Sequence, residues 1–216
     1  MAVSIKAAVG LCALSLTGLC GCGHAKVSDK SLAALPLEAK LDLIEAENDL
    51  FIAIDAVDES ANRVLETRDE YDKSRERIRE AREALKLADG SKDPKHVEIA
   101  ELSLQESKQR RVWLDAWLDV QWALLDAEKA KLELARGRYE RAQAQTVKKA
   151  NVAGAEKIDL SDFERRVAKL EEKTKRMADR AQREGQSAEK VKSAWNATRR
   201  TLSQMTGGGQ GSAWVE

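Results

Sequence analysis

The chain is predicted to be all-α: a long antiparallel helical hairpin, joined by a third helix into an elongated three-helix coiled-coil bundle. Three observations predict it. Charged residues make up 34% of the 216 positions, aromatic residues 4%, and Pro occurs only twice. With Ala, Glu, Lys, Leu and Arg dominant, this is the profile of long helices rather than of a mixed globular domain. From Leu43, every seventh residue over seven heptads forms a column of mostly large apolar side chains, and a column of small residues runs three positions on. From Leu160 to Met205 a third stripe alternates at spacings of three and four without a break, the narrow seam of a coiled coil.

The first 21 residues have the anatomy of an export signal. Met1 and Lys6 supply the positive end, and Ala7 to Leu19 is an apolar run shorter than the roughly 20 residues that span a bilayer. Leu19-Cys20-Gly21-Cys22 resembles the bacterial lipobox, in which a small residue precedes the Cys that becomes the new N-terminus. The resemblance implies that residues 1–21 are removed and Cys22 carries lipid. Cys20 fits less well because the bulky Leu19 would occupy the cleavage position, and Cys12 lies inside the apolar run. Cys12 and Cys20 would leave with the signal, so no thiol would remain for a disulfide. Two or three acyl chains anchor stably where one binds reversibly, since each buried CH₂ contributes about 0.8 kcal/mol. By the same resemblance, Gly23 rather than Asp after the lipidated Cys implies transfer to the outer membrane, on its periplasmic face.

Residues 22–35 read as a lipid-anchored leader and 36–205 as the helical domain. The first long helix is expected from about Pro36 to Ala88, roughly 80 Å at 1.5 Å per residue. Its large column is Leu43, Leu50, Val57, Val64, Tyr71, Ile78 and Leu85; its small column is Ala46, Ala53, Ser60, Thr67, Ser74, Ala81 and Ala88. Small residues along a seam let a neighbouring helix approach closely. Gly90 is expected to end this helix, and Asp93-Pro94 to begin the next, with Asp capping free amides and Pro at the first helical position.

The second helix repeats the device with Val97, Leu104, Arg111, Leu118, Leu125, Leu132 and Tyr139 at sevenfold spacing, and Ala100, Ser107, Leu114, Gln121, Glu128, Ala135 and Ala142 three residues on. It also carries a second stripe, Trp113, Trp117, Val120, Leu124 and Ala127, roughly 130° around the same helix. Two apolar faces require two neighbours. After Ala150 the segment NVAGAEKID reads as a loop, and the third helix starts at Asp159 or at Ser161, where Ser161 and Glu164 have capping-box spacing and Ile158 and Phe163 could form a hydrophobic staple. Its stripe runs Leu160, Phe163, Val167, Leu170 and onward to Leu202 and Met205, with Glu184-Gly185 as the weak point. Residues 206–216, rich in Gly, are expected to be a flexible tail.

The same sequence excludes several classes of function. Removing Lys6 with the signal leaves 36 basic residues against 37 acidic ones, a formal charge of −1 with no basic excess for nucleic acid. His24 and His96 have no partner at metal-ligand or base-nucleophile spacing. Acidic clusters such as Asp69-Glu70-Asp72 are interleaved with Lys or Arg and read as solvated faces. No catalytic residue, metal site or cofactor is expected, and the chain is not expected to be an enzyme.

Trp113 and Trp117 have two readings: they fill the space against the third helix, or they form a docking patch for a protein partner. Trp214, in the tail, is a candidate short linear contact.

The chain beyond Cys22 resembles the alanine-rich helical lipoproteins of bacterial envelopes. The run DAEKAKLELARGRYERAQAQ is similar in style to the periplasmic hairpins of efflux adaptors and export channels. It departs from both in lacking strand-rich flanks or barrel segments, and its Val215-Glu216 ending lacks the Lys by which the murein lipoprotein joins peptidoglycan. The expectation is a structural or scaffolding component of the periplasm, or alternatively a partner-binding or chaperone-like accessory of an envelope transport complex. A protein partner in the envelope and self-association into a homo-oligomer are both compatible with it.

Overall fold

The computed structural model describes residues 26–207. Two short helices, α1 (Asp29–Ala33) and α2 (Leu37–Leu41), precede three long ones, α3 (Ile44–Ser91), α4 (Pro94–Lys149) and α5 (Leu160–Met205). There is no strand among the described residues. The protein is an all-α bundle of long antiparallel helices. α4, with 56 residues, is about 84 Å long at 1.5 Å per residue.

The seams fall where the heptads place them. Every position of the two α3 columns from Leu43 to Ala88 is buried or half-buried, with Ser60, Val64, Ser74 and Ala81 buried, while neighbours such as Leu65 and Leu87 face solvent. All positions of the α5 stripe from Leu160 to Met205 are likewise removed from solvent at least in part, and the helix continues unbroken through Gly185. α3 and α5 each pack along the length of α4 but hardly meet one another. The middle helix is therefore covered on both sides, and Val120, Gln121, Ala123, Leu125, Ala127 and Ala130 are all buried.

Gly137 permits a close approach of α4 and α5, because a Cβ there would lie 2.7 Å from Leu170 Cδ1. Nearby, Thr174 Oγ1 lies 2.8 Å from the Leu170 carbonyl of its own helix and 3.2 Å from the Ala130 carbonyl of α4. Ion pairs cross the same interface from Arg166 to Glu140, from Lys173 to Glu133 and from Arg138 to Glu171. Exposed pairs of this kind contribute about 0–1 kcal/mol each, so they fix register more than stability.

Three boundaries differ from expectation. The first long helix does not start at Pro36: α1 and α2 lie within 29–41, and α3 begins at Ile44. Proline lacks an N–H and drives the preceding residue out of the helical region, so α1 stops at Ala33 and Leu35 turns inward. Leu35 and Leu43 are buried in one cluster with Val147 and Ala155, and the chain must bend between them to deliver both. The expected boundary at 35/36 thus falls inside a packed basal cap. Ser28 caps α1 through Ser31 N, and Ser31 Oγ donates to the Ala153 carbonyl at 3.0 Å, tying the leader to the α4–α5 loop.

Gly90 does not end α3. It is helical, and the left-handed cap is Lys92 at φ 57°. Ser91 Oγ donates to the Ala88 carbonyl and accepts from Asp93 N, closing the turn without a glycine. Asp93 then caps α4 at Lys95 N, 2.9 Å, with Pro94 in the first turn.

The 150–159 loop is ordered by the left-handed residues Asn151 and Gly154, a 3₁₀ turn at Ala155–Lys157, and Ile158, which packs on the basal cluster. Of the two candidate starts for α5, Asp159 is the cap, accepting from Ser161 N at 2.9 Å. Its hydrogen bonds with Ser161 hold the Asp159 carboxyl below the ordinary carboxylate range. A depressed folded-state value means that this cap stabilises the helix above the unfolded value and is lost as acid titrates the group.

The packing predicts a graded response to leucine substitution. Ala81 is buried in the seam, so Ala81→Leu should cost about 1–3 kcal/mol. Melting temperature should fall by about 2–4 °C per kcal/mol. Ala53 borders a cleft of about 390 Å³, so Ala53→Leu should lower the melting temperature less, and Glu80→Leu, at an exposed position, should leave it unchanged. Equal shifts for all three in thermal denaturation would contradict the seam.

Candidate functional site

The three long helices converge chemically at a cluster of indoles and guanidinium groups on the tip-side half of the molecule. Trp113 of α4 lies between two other rings. It stacks on Trp195 of α5 with centroids 4.8 Å apart and planes at 13°, and on Trp117 at 6.3 Å and 23°. The one-turn spacing on α4 places the first pair, and the α5 stripe delivers Trp195 to the same level. Trp195 Nε1 donates to Glu106 Oε1 at 2.6 Å. The indole stack is thus an inter-helix packing element, with Trp195 buried and Trp113 and Trp117 half-buried.

Cations surround the rings. Arg110 and Arg199 lie 5.9 and 5.7 Å from the Trp195 centroid, and Lys192 lies 5.8 Å from that of Trp113. Glu70 of α3 accepts from both Arg77 and Arg110 through the same oxygen, each at 3.4 Å. Next to it, Arg111 donates to the Tyr71 hydroxyl at 3.0 Å and sits 4.6 Å over the Tyr71 ring. Burial, then the nearby Arg77 charge, pull the Arg110 guanidinium below its ordinary value, with Glu106 and Glu70 opposing. The Nε of Arg110 and the indole Nε1 of Trp113 are buried without a hydrogen-bond partner among the described residues. Such groups are costly to bury, and here ring faces rather than acceptors compensate the charge.

Of the residues singled out from the sequence, the structure brings Trp113 and Trp117 together. Cys22 and Trp214 lie outside the described residues. His96 is exposed beside Asp93 at the hairpin turn. Trp195 belongs to the three-and-four stripe of α5, but its pairing with Trp113 and the roles of Glu106 and Arg110 depend on cross-helix register, which local spacing does not show.

Trp122 is 46% exposed. The sequence carries the signal for this, since Trp122 belongs to neither α4 stripe. Among the described residues no group of His, Cys, Asp and Glu could hold a metal ion, and no helix is long and apolar enough to cross a membrane.

Comparison with protein-family models, with curated proteins and with solved structures finds no match in any of the three.

The stack makes a measurable claim. Trp195→Ala should shift indole emission to the red as Trp113 loses its cover, and it should cost about 3–5 kcal/mol of stability. Glu106→Gln, which keeps an acceptor for Trp195 Nε1, should preserve the emission maximum. If neither variant alters emission or melting, the stack is not what joins α4 to α5 at this level.

Proposed function

We propose that this protein is a non-enzymatic, lipid-anchored spacer of the bacterial envelope, tethered through Cys22 to the periplasmic face of the outer membrane and carrying interaction surfaces along a helical rod. The observation that supports it best is the polarity of the rod. Val27, Leu32 and Leu35, the first apolar residues after the leader's start, pack at one end with Val147 and Ala155. The α3–α4 turn lies toward the other, about 80 Å away along α4, and α5 carries Met205 about 69 Å in the same direction at 1.5 Å per residue. A chain fixed at Cys22 would have only a few residues before it enters the basal cluster. The bilayer and the hairpin turn would then be held apart by the length of α4, a distance maintained by seams rather than by linker entropy.

A scaffold of this form needs no reaction centre, and the cationic cluster fits that reading because its groups are engaged with rings and with Glu70. The second reading, a partner-binding accessory of an envelope transport complex, is favoured by the exposed apolar side chains of the base-side half of α3, among them Ile44, Phe51 and Ile52.

The proposal is tested at the anchor. Cys22→Ala should abolish labelling by a fatty-acid analogue and move the protein from the membrane to the soluble periplasmic fraction. Continued labelling with membrane retention would mean that another cysteine or another mode of attachment is in use.

A further inference from the structure

The α3–α4 hairpin has two edges, and they differ. One holds the cleft lined by Asp49, Ala56, Lys131 and Arg138, each one position before a large seam residue. The other edge is formed by positions four after the large seam residue, together with the position one after it. On α3 these give Ile44, Phe51, Ile54, Ala61 and Leu65, and on α4 they give Val112 and Trp122.

Glu70 faces Arg110 and Asp42 faces Lys149, a register that brings Trp122 to the level between Asp58 and Leu65. Phe51 is 58%, Leu65 62% and Trp122 46% exposed. α5 does not cover them, because it packs on α4 through the stripe that contains Trp113, Ala130 and Gly137. This is a ladder of large apolar side chains, about 32 Å long from Ile44 to Leu65 at 1.5 Å per residue, with no partner among the described residues.

Charge identifies what would cover it. Every charged residue from Ile44 to Asn62 is acidic, and of these only Glu59 has an ion-pair partner among the described residues, Arg63. On α4, Asp115 and Asp119 stand seven and three residues before Trp122, exposed and without ion pairs among the described residues. Lys129 and Arg136 on α4, further toward the base, and Arg68 on α3, three residues beyond Leu65 toward the tip, are cations of the same edge. The tip-side half of α3 is different, with acids and bases interspersed and some of them paired, as in Lys73 with Asp69 and Arg79 with Glu76.

We infer that this edge is a docking face for a basic amphipathic helix of a partner protein, lying along α3 with its apolar stripe on Phe51, Leu65 and Trp122 and its Lys or Arg residues on Asp55, Asp58, Asp115 and Asp119. An isologous contact with a second copy would set these carboxylates against each other. An anionic membrane surface would be repelled by them. Outside residues 26–207 the chain offers Lys6 and His24 but no basic cluster of its own. The inference goes beyond the anchoring proposal and does not depend on lipid at Cys22. A helix in a groove between two others supplies the apolar area, and the carboxylates supply orientation and fast encounter.

The test uses the purified full chain and a fluorescent three-heptad peptide with Leu at its seam positions and Lys elsewhere, beside a companion with Glu for Lys. Anisotropy should report binding of the Lys peptide only, weakened by salt. Phe51→Ser with Leu65→Ser, and separately Asp55→Lys with Asp58→Lys, should each weaken it about tenfold or more, the loss of a modest anchor. Leu87→Ser, exposed near the hairpin turn, should change nothing. All are exposed sites, and unchanged melting confirms that the fold is intact. Equal binding of the Glu peptide, or equal loss with Leu87→Ser, would overturn the inference. In cells, a photo-crosslinker at Phe51 or Trp122 should capture a basic helical segment. Capture of the same edge of a second copy, or of lipid alone, would also overturn it. Because Cys22→Ala reads only the anchor, failure of either proposal leaves the other standing.

Discussion

A helix of 56 residues with apolar side chains on two sides cannot be satisfied by one neighbour, and α4 is such a helix. Paired only with α3, it would leave Trp113, Val120, Ala127 and Ala130 in water; paired only with α5, it would leave Leu114, Gln121 and Leu125 uncovered. The two stripes lie far enough apart around the axis that the two partners need not touch, and α3 and α5 hardly do. The molecule is therefore less a closed bundle than a central helix with a companion on each side. Each interface has its own device for close approach, a column of small residues on α3 and Gly137 against Leu170 on α5. Helices this long owe their stability to such burial rather than to intrinsic propensity, so the seams specify length and register together.

Where periodicity carries the information, the sequence is transparent. Seven heptads leave no alternative register for Leu43 to Ala88, and the caps Asp93 and Asp159 act through local hydrogen bonds that depend on residue type and spacing. What was illegible depends on contacts between distant segments. Nothing local says that Leu35 and Leu43 must both reach Val147, and that requirement breaks the first helix around Pro36. Glycine is the usual helix terminator, yet Gly90 stays helical because Ser91 and Asp93 supply enough hydrogen bonds for Lys92 to take the left-handed position. The indole pair on α4 was visible as a pair. Its third member, Trp195, and the acceptor Glu106 are 89 residues apart and meet only once the α4–α5 register is fixed.

The Trp and Arg cluster shows how a coiled-coil interface tolerates buried cations. Arg110 is desolvated, has a second guanidinium nearby, and shares a single carboxylate oxygen with Arg77. In a purely aliphatic seam that arrangement would be costly. The faces of Trp195 and Tyr71 provide electron-rich surfaces for Arg110, Arg111 and Arg199, so charge is offset by the quadrupoles of rings that also fill space between helices. At this level polar groups, rings and charges fix which face of α4 meets which partner, something the leucine columns alone leave less determined.

The same reasoning separates the two halves of α3. On the tip side acids and bases alternate and several pair within the chain: Glu70 engages α4, and Lys73 and Arg79 pair along α3 itself. On the base side the carboxylates outnumber any cation within reach, and they flank large apolar side chains that no seam uses. A sequence needing only a rigid spacer would gain nothing from placing Phe51, Leu65 and Trp122 in water, since solvated polar residues there would support the helix equally well. Their concentration on one edge, on the half of the rod nearer its base and opposite a cleft of different character, is better explained by selection for contact than by the requirements of folding. The rod and the surface are then separable properties of one chain: burial around α4 sets the length, and the uncovered edge of the hairpin sets what is held along it.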